Sequence, residues 1–157
     1  METKKKLFLV DAYALIFRGY YAFIKNPRIN SKGVDTSAIM GFTNSLFDVI
    51  KREKPDYIAV CFDKGGSHDR TKIFKEYKAN RDETPEAIKI AVPYIEKILK
   101  SLNIAIVLKD GYEADDIIGT IAKKAKQKNL KTYMVTPDKD FAQLVEKDIY
   151  MYRPVFG

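Results

Sequence analysis

The run Leu7-Phe8-Leu9-Val10 is short and continuously apolar, and it is followed directly by Asp11. Apolar runs of this length are typical of strands that are buried on both faces of a parallel sheet. The other runs of this kind are residues 57–62, 104–108, 132–135 and, as a candidate fifth strand, 149–152. The segments with helical periodicity between them are residues 12–23, 37–53, 85–102, 113–128 and 141–146. Strands that alternate with helices predict the α/β class, with a parallel central sheet of about five strands and helices on both faces.

The composition excludes several classes of protein. The chain has 157 residues, which fits one domain, and 46% of them are hydrophobic, which excludes a disordered chain. The net charge of +7 is compatible with an anionic partner, and also with a merely lysine-rich soluble protein. Asp11 interrupts the first apolar run too early for a signal peptide, and no run reaches the roughly 18 apolar residues of a membrane span. We therefore expect a cytoplasmic protein that does not contact a membrane.

Two short acidic clusters lie in this basic chain. Gly111-Tyr112-Glu113-Ala114-Asp115-Asp116 carries three carboxylates, and Thr136-Pro137-Asp138-Lys139-Asp140 carries two. Like charges at short range repel and raise each other's pKa values, and a bound cation removes that penalty. The single cysteine, Cys61, is expected to be a buried core residue, and with only one histidine a Cys/His zinc site is excluded. The predicted ion is therefore one that prefers oxygen ligands, Mg²⁺ or Mn²⁺.

The carboxylates are expected to converge, because the carboxyl ends of parallel strands lie on one edge of a sheet, where such folds bind ligands. The acids expected on this edge are Asp11, Asp63, Glu113, Asp115, Asp116, Asp138 and Asp140. Any one of them alone can be explained as a helix cap or a turn residue, but acids after four successive strands favour a metal site. Within the first cluster, the helical repeat places Glu113 and Asp116 on one face and turns Asp115 about 100° away, towards a different ion.

Such an edge suits two-metal hydrolysis of a phosphodiester. One ion lowers the pKa of the attacking water, and both neutralise the phosphate and the leaving oxygen. No histidine base is needed, and the lone His68 is expected at the surface. Arg18 follows the first strand closely and is a candidate for binding nucleic acid, although an exposed arginine without a role explains it equally well. Tyr20 and Tyr21 are expected to belong to the core.

Residues 64–81 form a basic segment that starts directly after Asp63, so we expect it to rise from the same edge of the sheet. Its cations are Lys64, Arg70, Lys72, Lys75, Lys78 and Arg81. Arg and Lys beside a cleavage site can bind the phosphate backbone and stabilise developing charge, and Tyr77 can stack on a base. The alternative is an exposed helix that carries its own acidic counter-charges.

Five motifs occur in order along the chain. They are Val10-Asp11-Ala12, Phe62-Asp63, Tyr77-Lys78-Ala79-Asn80-Arg81, the Gly111–Asp116 cluster and the Thr136–Asp140 cluster. Over nearly the whole chain they resemble the amino-terminal 5′ nuclease domains of bacterial DNA polymerase I, in the flap endonuclease superfamily with its PIN-like α/β fold. The resemblance implies a structure-specific 5′→3′ exonuclease and flap endonuclease. Its implied partners are DNA with 5′ flaps or ends and RNA primer–DNA hybrids.

The resemblance also implies roles for individual residues. The implied metal ligands are Asp11, Asp63, Glu113, Asp115, Asp116, Asp138 and Asp140. The implied catalytic set consists of the first five of these together with Lys78 and Arg81. Arg70, Lys78 and Arg81 would belong to a helical gateway that admits the 5′ strand, with Tyr77 added to that group. The intact domain would bind two Mg²⁺ or Mn²⁺ ions and would precede a polymerase region.

The family pattern continues beyond Gly157, with another metal-binding carboxylate pair and a helix-hairpin-helix element that grips duplex DNA. Residues 1–157 are therefore expected to be the first part of a truncated nuclease domain, whose second metal position is incomplete. Three other interpretations stay open. They are a PIN-type ribonuclease, which the long basic segment argues against, a receiver-type phosphoacceptor module, which needs fewer acids, and a metal- and DNA-binding fragment without catalytic activity.

Overall fold

Five β-strands alternate with helices in the part of the chain that the computed structural model describes, residues 3–63 and 84–154. The elements are β1 (Lys6–Asp11), α1 (Ala12–Ala22), α2 (Ser37–Glu53), β2 (Tyr57–Cys61), α3 (Glu86–Ser101), β3 (Ala105–Val107), α4 (Ala114–Gln127), β4 (Lys131–Val135), a 3₁₀ helix (Lys139–Leu144) and β5 (Ile149–Tyr152). The short helix predicted at residues 141–146 is thus a 3₁₀ helix that begins earlier, because the Asp138 carboxylate accepts the Asp140 N–H at 2.9 Å and starts the turn there.

The strands form one sheet in the order β3-β2-β1-β4-β5, and every pairing is parallel. The predicted α/β class and the fifth strand are confirmed. The chain runs outward from β1 through β2 to β3, and then returns to place β4 on the other side of β1. Neighbouring strands whose connections leave in opposite directions form a crevice at their carboxyl ends, which is where open parallel sheets bind ligands. In this sheet the crevice lies beyond Asp11 and Val135.

Helices cover both faces of the sheet. Side chains alternate along β1, so that Phe8 and Val10 face one layer while Leu9 faces the other. The first layer is built by α1, α2 and α3, and the second by α4 and the 3₁₀ helix. Burial on both faces explains why the strands read as continuous apolar runs. Of the helices in the described ranges, none is both long and apolar enough to cross a bilayer.

Two glycines set the close approach of α1 and α2. A Cβ at Gly19 would lie 2.9 Å from the Cα of Gly41, and one at Gly41 would lie closer still to the Cα of Gly19. The backbones of the two helices are therefore in direct contact, and there is no room for a side chain at either position. This contact fixes the position of α1, whose N-cap residue is Asp11.

Candidate metal centre

Asp11 ends β1, and its carboxylate lies at the bottom of the crevice. Its side chain is 6% exposed, and its Oδ2 accepts the hydroxyl of Thr136 at 2.9 Å. The pKa of Asp11 is raised from 3.8 to about 8, chiefly by burial and next by the nearby charge of Asp63. The charge of Asp138 also raises this pKa, and the Thr136 hydrogen bond opposes the rise. The three carboxylates therefore lie close enough together to disfavour a charge on Asp11, and a bound cation would remove this penalty.

Thr136 is the residue of this crevice that the sequence interpretation missed. It is fully buried directly after β4, where its hydroxyl donates to Asp11 and accepts the N–H of Asp138 at 3.1 Å. The hydroxyl thus ties the end of β1 to the segment after β4. A hydroxyl placed directly after a buried strand was the available signal, because buried polar groups are nearly always hydrogen-bonded.

Asp63 joins the crevice to helix α4. It is 6% exposed, and its Oδ1 accepts the N–H of Ala114, the first residue of α4, at 2.6 Å. The first N–H groups of a helix have no partner inside the helix and need an acceptor. Glu113 is the N-cap residue, but its side chain does not cap the helix. A carboxylate from the segment directly after β2, distant in sequence, caps α4 instead.

The acidic cluster at the start of α4 is compact. One carboxylate oxygen from each of Glu113, Asp115 and Asp116 lies within 4.8 Å of the other two. The expectation that Asp115 points away from Asp116 is therefore wrong. Asp115 Oδ1 accepts the N–H of Asp116 at 2.9 Å, which turns its carboxylate back towards its neighbour. Glu113 precedes the helix in extended conformation, so it reaches the cluster from outside the helical repeat.

The acids after β4 are arranged less tightly. Asp138 is half-buried, raises the pKa of Asp11 and is the N-cap residue of the 3₁₀ helix. Asp140 is exposed, and the contact that ties it to this group is its N–H bond to the Asp138 carboxylate. The structure thus brings Asp138 to the crevice and leaves Asp140 at its outer edge.

The predicted nucleic-acid contacts are placed only in part. Arg18 lies on α1 and is exposed. Tyr20 and Tyr21 pack against the core, as expected. The basic segment lies outside the described residues, and with it the candidates Arg70, Tyr77, Lys78 and Arg81.

The donor set fits a hard divalent cation. The grouped ligand atoms are carboxylate oxygens, which such ions prefer. Cys61, which pairs with Asp11 in the sheet register, is fully buried, and burial together with Asp11 and Asp63 raises its pKa to about 12. It therefore remains a thiol, and its prediction as a buried core residue is confirmed. A soft thiolate ligand is absent from this part of the described structure.

Comparisons with known proteins agree with this arrangement. The family described as "5′-3′ exonuclease, N-terminal resolvase-like domain" matches residues 6–156. A 5′-3′ exonuclease of Aquifex aeolicus is 38% identical over 151 residues, covering 96% of this chain and 52% of the relative. A DNA polymerase I of Treponema pallidum is 39% identical over 153 residues, covering 98% of this chain and 15% of the relative.

Solved structures show the same fold. T5 5′-exonuclease with bound zinc ions matches with a TM-score of 0.66 at 19% identity, covering 95% of this chain and 55% of that chain. The T5 D15 flap endonuclease in a complex with DNA and metal ions gives a TM-score of 0.64, with the same identity and coverage. The chain spans about half the length of the exonuclease relative and a much smaller part of the polymerase. The chain belongs to the family of N-terminal resolvase-like domains of 5′-3′ exonucleases.

Proposed function

We propose that this chain is the amino-terminal part of a metal-dependent 5′→3′ exonuclease and flap endonuclease, which hydrolyses phosphodiester bonds in DNA. The observation that carries the proposal is the compact carboxylate cluster of Glu113, Asp115 and Asp116 at the start of α4. The Asp63 carboxylate is hydrogen-bonded to the first residue of the same helix, and its charge raises the pKa of Asp11. The relatives' names, 5′-3′ exonuclease and DNA polymerase I, support the same activity.

The proposed cofactor is Mg²⁺, with Mn²⁺ as the alternative. One ion would be held by Glu113, Asp115 and Asp116. In the intact domain a second ion would be held by Asp11, Asp63 and Asp138, with Asp140 as an outer ligand. Divalent ions supply activation of the attacking water and neutralise charge on the phosphate and the leaving oxygen. The bound zinc ions of the T5 exonuclease support a divalent site on this fold.

The residues of the chain itself hold this arrangement in place. The Thr136 hydroxyl orients the Asp11 carboxylate, and the Asp63 carboxylate orients the first turn of α4. Burial of Asp11 and Asp63 excludes water from the inner side of the crevice, where electrostatic interactions are then stronger. The residues proposed to bind the DNA strand are Arg18 and, from the basic segment, Arg70, Tyr77, Lys78 and Arg81.

The proposed substrates are DNA with 5′ flaps or ends and RNA primer–DNA hybrids. In the intact protein, a polymerase region is the proposed partner, since the polymerase relatives carry this domain as a minor part of their length. Because the chain spans about half of the exonuclease relative, we propose that catalysis also uses residues outside this chain.

The test measures cleavage of a 5′-labelled flap substrate by the intact protein, in Mg²⁺ and in EDTA. We expect cleavage to require the metal and to be abolished by Asp116→Asn. The matched control is Asp48→Asn, an acid on α2 that pairs with Arg52 far along the chain from the acidic clusters. A second assay measures Mg²⁺ binding by calorimetry, which Asp116→Asn should weaken and Asp48→Asn should not.

Three outcomes separate the alternatives. Cleavage in EDTA, or undiminished cleavage by Asp116→Asn, would refute the metal-dependent mechanism. A second comparison uses a chain extended by about a hundred residues, roughly the length of a domain. If the extended chain cleaves while residues 1–157 only bind metal, part of the catalytic machinery lies beyond this chain. Cleavage of single-stranded RNA in preference to flap DNA would support the ribonuclease interpretation instead.

A further inference from the structure

An exposed aromatic side chain lies beside the acidic cluster. Residues 109–112 form a turn in which the N–H of Tyr112 donates to the Lys109 carbonyl at 3.1 Å. Gly111 has a φ of +81°, in the left-handed region that glycine adopts without strain. The turn is followed directly by Glu113, whose carboxylate belongs to the cluster. Tyr112 is 44% exposed, and the Lys109 ammonium lies 4.7 Å from the centre of its ring.

Tyr112 does little for the fold that surrounds it. Its ring belongs to neither of the two core clusters in the described ranges, whereas Tyr13, Tyr20, Tyr21, Tyr133 and Tyr152 contribute to the first of them. An exposed tyrosine leaves a large apolar face in water, tyrosine is enriched at interfaces, and its ring can stack on a flat ligand. Next to a site proposed to act on DNA, the flat ligand with two available faces is a nucleobase.

We propose that Tyr112 and Lys109 form a stacking platform for a nucleobase of the bound strand, next to the acidic cluster. This inference rests on the proposed nuclease function and adds a residue that binds substrate. The tyrosine ring takes one face of the base, and the contact is independent of sequence because every base offers a π-face. The Lys109 ammonium sits where it can attract the adjoining phosphate, which the carboxylates of the cluster repel in the absence of a cation.

The same pair of residue types occurs at the opposite edge of the sheet and supplies a matched control. Tyr57 is the first residue of β2, is 49% exposed and has the Lys5 ammonium 6.0 Å from its ring centre. It therefore has the exposure and the cationic neighbour of Tyr112 but lies at the amino end of its strand, away from the carboxylates. If exposure and charge alone caused DNA binding, both tyrosines would contribute.

The experiment measures the affinity of this chain for a 5′-flap DNA by fluorescence anisotropy, with Ca²⁺ as the oxygen-binding cation. Tyr112→Leu is expected to bind about tenfold more weakly, and Tyr112→Phe, which keeps the ring, to bind within about twofold of wild type. Tyr57→Leu is expected to bind like wild type. Metal affinity, measured by calorimetry, is expected to be the same in all four proteins.

A second set of DNA molecules identifies the base as the partner. Each carries one abasic nucleotide at a different position around the flap junction. At the position that stacks on the ring, the abasic DNA should bind the wild type and Tyr112→Leu equally. The proposal would be overturned if the wild type and Tyr112→Leu differed tenfold in affinity at every abasic position. It would also be overturned if Tyr112→Leu and wild type bound intact DNA equally. A wild-type chain that binds metal but no DNA would refute DNA binding by residues 1–157, and the stacking platform with it.

Discussion

Replacing Thr136 with valine removes one buried hydroxyl while keeping a branched side chain of similar size. The hydroxyl donates to Asp11 at 2.9 Å and accepts the N–H of Asp138 at 3.1 Å, at a position with no solvent exposure. A buried hydrogen bond contributes about 0.5–1.5 kcal/mol, and leaving a partner unsatisfied costs about 1–3 kcal/mol. We therefore expect Thr136→Val to lower the free energy of unfolding by about 2–4 kcal/mol.

Thr132 provides a matched control on β4, the strand that Thr136 directly follows. It is also fully buried, but its hydroxyl has no hydrogen-bond partner in the described structure. Thr132→Val removes an unsatisfied polar group, so we expect no loss of stability or a gain of up to about 1 kcal/mol. The measurement is urea unfolding of both variants in EDTA. Equal losses in the two variants would show that the Thr136 hydrogen bonds contribute nothing.

The same substitution should also act on the proposed metal centre, because the Thr136 hydroxyl bonds to the Asp11 carboxylate. Groups that orient a metal ligand typically change metal affinity by about 10–100-fold when they are removed. We expect Thr136→Val to weaken Mg²⁺ binding by at least about tenfold, and Thr136→Ser, which keeps the hydroxyl, to restore it. Unchanged Mg²⁺ affinity in Thr136→Val, measured by calorimetry, would refute the orienting role.

Three further predictions concern stability and reactivity. In metal-free protein, the folded state keeps the Asp11 proton up to about pH 8 while the unfolded chain loses it near 3.8, so stability should fall as pH rises between these values. Asp11→Asn should flatten this dependence in urea unfolding, and a wild-type curve that rises through this window would contradict the assignment. Gly41→Ala should lower the free energy of unfolding by about 1–3 kcal/mol, because the added Cβ overlaps with α1. Gly119→Ala should raise it by up to about 1 kcal/mol, because its Cβ would meet only Leu144, at 3.5 Å. Thermal unfolding of both variants measures the two changes. The Cys61 thiol should react with a thiol reagent only at the rate of global unfolding, and fast reaction of the native protein would disprove its burial.

The sequence by itself determined the fold class and the edge that carries the acids. Strands buried on both faces can be recognised locally as continuous apolar runs. In a parallel sheet the carboxyl ends of these strands share one edge. Asp11, Asp63 and the Glu113 cluster could therefore be assigned to one edge from the sequence alone. The sequence also predicts the class of ion, because carboxylates are present where cysteine and histidine are nearly absent, and that assignment stays a prediction.

Only the tertiary structure decided which groups touch. Thr136 bonds to Asp11 across 125 residues because the strand order brings β4 next to β1, and periodicity along the chain does not specify strand order. Asp63 caps α4 from 51 residues away, and Asp115 turns back onto its neighbour's N–H against the helical repeat. These contacts depend on packing between distant segments and on single side-chain torsions, neither of which the local pattern of residues encodes.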